Sequence, residues 1–194
     1  MSILRTFALM AVATGTASAG TILFTFDTDS TSTATTFTDT ASGLSATFSS
    51  PADPGGFTIF PSFFASLTGN ILLQDGSPVP LTIDFSDPLS SLTLLFATAT
   101  LDPVSFQLIA YNSGTEVGTV SAVGGTPPGT VYPEGSISFS GVSFDRVVLS
   151  TPSSSVFAID NVSATVGQVP EPASFLLIGL GLASVAIRVS GRRR

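Results

Sequence analysis

Near the C-terminus Val169-Pro170-Glu171-Pro172 holds one carboxylate between two residues of fixed φ, and this is the stretch best suited to being handled by an enzyme. Each proline pushes the residue before it, Val169 and Glu171, towards extended geometry, the shape a protease cleft holds as an added strand. Pro172 can open a helix at its first position, with Glu171 near the positive end of the helix dipole. Behind it lie an uncharged run from Ala173 to Ile187, Arg188, and finally Arg192-Arg193-Arg194. At about 1.5 Å per residue the uncharged run alone gives a helix of about 22 Å. Extending it over about 172–191, with Arg188 snorkelling, reaches the ~30 Å hydrocarbon core. The arginines then stay cytoplasmic and the preceding chain lies on the outer face.

The rest of the chain offers little familiar catalytic chemistry. It has no Cys, His or Trp, and all six basic residues are Arg. Triads and dyads that need an imidazole or an amine, and thiolate or imidazole zinc sites, are excluded. Carboxylates remain: Asp84, Asp87, Asp102, Glu116 and Glu134 are the candidates for a glycoside hydrolase working with an acid and a base or nucleophile. Between Asp27 and Asp160 the only cation is Arg146, so this part of the chain repels phosphate backbones and nucleic acid is not an expected partner.

At the other end Arg5, the apolar run Thr6 to Ala13 and Ala17-Ser18-Ala19 form the charged, apolar and small-residue regions of a secretory signal peptide. Cleavage by signal peptidase after Ala19 leaves Gly20 as the N-terminus. The expected organisation is therefore a signal peptide over 1–19, a cargo domain over 20–167 and a tail over 168–194.

Between the ends, short runs with period-two alternation are separated by Gly, Pro, Asn and Asp. They include Thr21 to Phe26, Leu44 to Phe48, Leu81 to Phe85, Leu92 to Thr98, Val104 to Tyr111 and Val117 to Val123. Ile137 to Phe139, Arg146 to Leu149 and Val156 to Val166 follow. The pattern predicts an all-β, antiparallel β-sandwich. Ser30 to Thr36, Ser50 to Gly56, Gly124 to Gly135 and Ser150 to Ser155 read as its loops.

Pro-Glu-Pro, a Gly-containing hydrophobic helix and a terminal arginine cluster together resemble the PEP-CTERM sorting signal over Val169 to Arg194. The resemblance implies recognition by exosortase, a multi-spanning membrane protease of Gram-negative bacteria that make exopolysaccharide. It further implies transient anchoring in the inner membrane with the cargo on the periplasmic side, then the cell surface or extracellular matrix. The alternative is a permanent tail anchor. From Phe106 to Val166, with Val142-Ser-Phe-Asp-Arg-Val-Val-Leu149 and Phe157-Ala-Ile-Asp-Asn-Val162, the cargo resembles jelly-roll, galactose-binding-like and carbohydrate-binding sandwiches. That likeness implies a structural calcium tying the first strand to the last, with Asp27, Asp160 and Asn161 as its oxygen ligands. The cargo reads as a non-enzymatic surface or matrix domain, either purely structural or binding sugar on aromatic platforms, for which Tyr111, Tyr132, Phe60, Phe63 and Phe64 are the available residues.

Overall fold

A computed structural model describes residues 20–76, 78–151 and 155–167. All described secondary structure is β, and every strand pair is antiparallel. The strands are β1 (Thr21–Phe24), β2 (Phe37–Ala41), β3 (Leu44–Ser49), β4 (Phe57–Pro61), β5 (Asn70–Gln74), β6 (Leu81–Thr98), β7 (Ser105–Asn112), β8 (Thr115–Val123), β9 (Glu134–Ser150) and β10 (Phe157–Val166). No helix among the described residues is long and apolar enough to cross a membrane. The expected signal peptide with Ala17 and Ala19, the helix about 172–191, and Val169, Pro170, Glu171, Pro172, Arg192, Arg193 and Arg194 lie outside the described residues.

Two long strands build the sandwich. The first part of β6 pairs with β3 through Thr82–Phe85, and its later part pairs with β10 from Leu89 to Thr98. Its partner β9 likewise pairs with β7 through Arg146–Ser150. The β6–β9 ladder slips its register between Asp84 and Leu89 and again before Ser91. Bulges of this kind bend a strand and raise its twist, so one hydrogen-bonded pair serves both layers. One layer runs β4, β5, β10, β6, β9 with β1 beside the far end of β10; the other runs β2, β3, β6, β9, β7, β8. Sequence alternation therefore reads Leu81 to Phe85 and Leu92 to Thr98 as two strands where there is one. The same holds for Ile137 to Phe139 and Arg146 to Leu149.

Phenylalanine is the commonest residue in the core between the layers. Phe24, Phe26, Phe48, Phe57, Phe96, Phe106, Phe144 and Phe157 are all under 2% exposed. Phe96 and Phe106 stack at 4.4 Å, and Phe157 meets Phe106 at 5.1 Å and Phe57 at 5.2 Å. The strand β3 shows the cause in miniature, since Leu44, Ala46 and Phe48 turn inward while Ser45 and Thr47 do not.

In β10 the alternation changes phase. Phe157 and Ile159 join the core before a bulge, and Val162 and Ala164 join it after. The extra residue is Asn161, held at φ 50°. Asp160, ahead of the bulge, falls with Ala158 on the opposite, outer face of its layer. That face carries a second apolar cluster, Leu67, Ile71, Ala97 and Ala158, with Phe64, Leu73 and Leu95 packed against it.

Candidate functional site

The outer cluster is floored by small residues in one row. Ala158 faces Ala97 on β6 and Leu73 on β5, and Ala97 faces Glu134 at the start of β9. Residues directly opposite in a ladder point to the same side, so Glu134 belongs to this outer face. Two alanines leave room above the sheet, and the 62–69 loop between β4 and β5 fills it with the fully buried Leu67 and the half-buried Phe64.

The loop is closed on itself and then pinned by carboxylates. Ser62 N–H donates to the Gly69 carbonyl at 2.7 Å. Ser62 Oγ donates to the Leu67 carbonyl at 2.5 Å and accepts from Phe64 N–H at 3.1 Å. Glu134 is only 6% exposed, and its two oxygens accept from Ala65 N–H at 2.7 Å and Ser66 N–H at 2.5 Å. Asp160 Oδ2 accepts from Thr68 N–H at 3.2 Å, and Asp27 Oδ1 from Asn70 N–H at 2.8 Å. Acids from three distant parts of the chain thus collect backbone donors of one surface loop, each as a charge-assisted bond. Such a loop has few conformations left to lose when it meets a ligand.

What the pinned loop presents is aromatic. Phe63 projects with 52% of its surface exposed. Its ring lies 4.4 Å from Phe64 and 5.9 Å from Tyr132, and Tyr132 meets Phe64 edge-on at 5.6 Å. Tyr111 stands elsewhere, on β7 opposite Arg146. Phe60 is half exposed on β4.

Of the residues expected to hold a cation, Asp27 and Asp160 both accept from backbone N–H groups at the end of the same loop. Asp27 and Asp160 lie on either side of Thr68 to Asn70, and Asn161 donates to Asp160 from its backbone at 2.7 Å and from its side chain at 3.2 Å. Burial pushes the Asp160 carboxyl above the usual aspartate range, against its two backbone N–H donors, and the charge of Asp27 pushes it further up. Asp29 is likewise raised by burial and by Asp39, and its Oδ2 is buried without a hydrogen-bond partner. The pair fits a hard cation in charge and donor type. Among the described residues no group of three or more His, Cys, Asp or Glu stands ready to hold one, so neutral oxygens would have to complete the shell.

Three of the carboxylates considered for hydrolysis, Asp84, Asp87 and Glu116, have side-chain partners. Asp84 pairs with Arg146 across β6 and β9 at 2.5 Å, both well exposed. Asp87 accepts from Ser86 Oγ and Glu116 from Thr119 Oγ1, while Asp102 lies in the turn before β7. Glu134 is the surprise, because its two oxygens hold the loop. Nothing in its sequence neighbourhood, Tyr132-Pro133-Glu134, marks that role.

Residues 168–194 match the family model of the PEP-CTERM protein-sorting motif. The chain carries a PEP-CTERM sorting signal. That signal implies an exported, membrane-transiting protein processed by exosortase. Pro170, Glu171, Pro172 and the terminal arginines all fall within the matched segment. No curated protein matches the chain in sequence. In fold, the chain is similar to the K2 cleaved adhesin domain of Lys-gingipain, with 10% identity and a TM-score of 0.51 over 76% of this chain and 98% of that one. The K1 cleaved adhesin domain of Lys-gingipain from Porphyromonas gingivalis gives 10% and 0.48 over 77% and 99%. CsCBM6-3 from Clostridium stercorarium, in complex with cellobiose, gives 21% and 0.36 over 62% and 93%. At these identities the likeness concerns the fold alone, and it rests on the first of the three.

Proposed function

We propose that this is an exported bacterial surface or matrix protein, delivered by exosortase, whose sandwich is a non-enzymatic binding module that takes its place among exopolysaccharide. The observation that carries the reading is the sorting signal over 168–194, joined to a sandwich whose carboxylate-pinned 62–69 loop displays aromatic rings. Signal peptidase acts first and leaves Gly20 at the N-terminus. The tail then serves as a temporary anchor, with the cargo on the periplasmic side, until the enzyme cuts near Val169 to Pro172.

The test is Glu171→Ala in the native host. The hydrophobic run and the arginines are untouched, so insertion continues. Processing slows, and full-length protein accumulates in the membrane at least several-fold on an immunoblot. Processing at the wild-type rate would instead support the permanent tail anchor.

A structural calcium held by Asp27, Asp160 and Asn161 is a second reading, favoured by the two like charges that meet at the loop. The folded-state pKa values of Asp160 and Asp29 are raised. In chelator their contribution to stability is therefore fully present below the ordinary aspartate pKa and is lost as pH rises through the raised values. Thermal midpoints in chelator should fall from about pH 4 towards pH 7. Millimolar calcium at pH 7 should restore stability, by about 2.7 kcal/mol at a hundredfold excess over Kd. A midpoint at pH 7 indifferent to calcium removes the ion from the site.

A further inference from the structure

Phe63 is held out in solvent by a loop that the fold goes to unusual lengths to fix, and a surface ring that merely filled space would need no such support. Phe64 and Leu67 root the loop in the outer cluster, and Glu134 and Asp160 hold the backbone donors of Ala65, Ser66 and Thr68. Tyr132, arriving from the segment before β9, abuts both phenylalanine rings. The result is a fixed ring on a loop whose Ala65, Ser66, Thr68 and Gly69 are also exposed.

We propose that the Phe63–Phe64–Tyr132 cluster is a binding site for uncharged polysaccharide, with the C–H face of a sugar ring seated on Phe63. The proposal rests on the matrix role inferred above and gives that role a site. A sugar is amphipathic in the way this surface is: apolar C–H groups on one face, hydroxyls around the rim. The rings supply the apolar platform, and the hydroxyls of Ser66 and Thr68 with the adjoining backbone supply the rim.

Charge selects among glycans. The chain from Gly20 to Gly167 has twelve acids and one arginine, so a uronate or sulfated polymer would be repelled over the whole surface. Size selects against a protein partner, because a stable protein interface covers about 800 Å² on each side with an apolar centre. This cluster offers one half-exposed ring beside two more buried ones. The fixed loop makes the site preformed, which suits a ligand that gains little per contact.

Affinity electrophoresis of the full-length chain in mild detergent, through gels containing hydroxyethyl cellulose, dextran or polygalacturonate, tests the proposal. Retardation is expected in at least one neutral polymer and not in polygalacturonate. Phe63→Leu, which keeps an apolar side chain but no ring, should weaken retardation at least tenfold, and Phe63→Tyr should retain it. Because the ring is half exposed, unchanged thermal midpoints would confirm that both variants remain folded. Retardation unaffected by Phe63→Leu, equal or stronger retardation in polygalacturonate, or none in either neutral polymer would overturn the site. Membrane accumulation of the Glu171→Ala chain reports on sorting independently, so the two readings fail separately.

Discussion

Gly69→Ala should destabilise the protein by about 2–5 kcal/mol, more than its size suggests. Gly69 closes the loop at φ 72°, in the left-handed region that costs an L-residue about 1–2 kcal/mol. A Cβ there would also overlap Asp27 Oδ1 and come within 2.7 Å of its Cγ. The Asp27 carboxylate would have to swing away, leaving Asn70 N–H without its acceptor at a further cost of about 1–3 kcal/mol. Gly76→Ala separates the two contributions. Its φ of 93° carries the same kind of strain, but nothing lies within 4 Å of its added Cβ. Urea unfolding should therefore show a large fall in midpoint for Gly69→Ala and a fall of about 1–2 kcal/mol for Gly76→Ala, with m unchanged in both. Equal losses in the two variants would mean that the Asp27 contact does not matter.

The sandwich was legible in the chain because most strands bury one face. Leu44, Ala46 and Phe48 in β3, and Phe106, Leu108 and Ala110 in β7, alternate with partly exposed neighbours, and period two follows directly. Three strands escaped that pattern. The strand β5 is apolar at Ile71, Leu72 and Leu73 in succession because the core lies on one side and the loop cluster on the other. Polar Thr38, Asp39 and Thr40 disguise β2, an edge strand paired with β3 alone. Pro61 ends β4 and, with the nearby Gly55 and Gly56, reads as a turn.

The chain marks single acids but not their arrangement. Asp27 and Asp160 stand out as acids at opposite ends of one β chain, and the structure does bring them to one loop. The bulge at Asn161 shows in the chain only as a one-residue break in alternation between Ile159 and Val162, which does not by itself say on which face Asp160 falls. The role of Glu134 depends on a row of small residues, Ala97 and Ala158, aligned only by the register of three strands. A linear pattern contains no information about such a row until the pairing is fixed.

That row makes Glu134→Ala the most informative substitution in the loop. Glu134 is an almost fully buried acid whose partners are two backbone N–H groups, with no ion-pair partner among the described residues. Removing it leaves both donors without their acceptor. At about 1–3 kcal/mol for each donor, and with water reaching the exposed tip of the loop, the expected loss is about 2–4 kcal/mol. Glu134→Gln keeps one acceptor oxygen and should fall between that variant and wild type. The damage should also be local, because Leu67 and Phe64 are no longer held over Ala97 and Ala158. Amide exchange at Ala65 and Ser66 should accelerate, and protease should nick the chain between residues 62 and 69, while amides in β7 stay protected. Asp84→Ala provides the contrast: it breaks the exposed pair with Arg146, a kind of contact worth about 0–1 kcal/mol. If Glu134→Ala cost no more than Asp84→Ala and left the loop amides protected, the loop would be holding its shape through Leu67 and Ser62 alone, and the carboxylate would be a bystander.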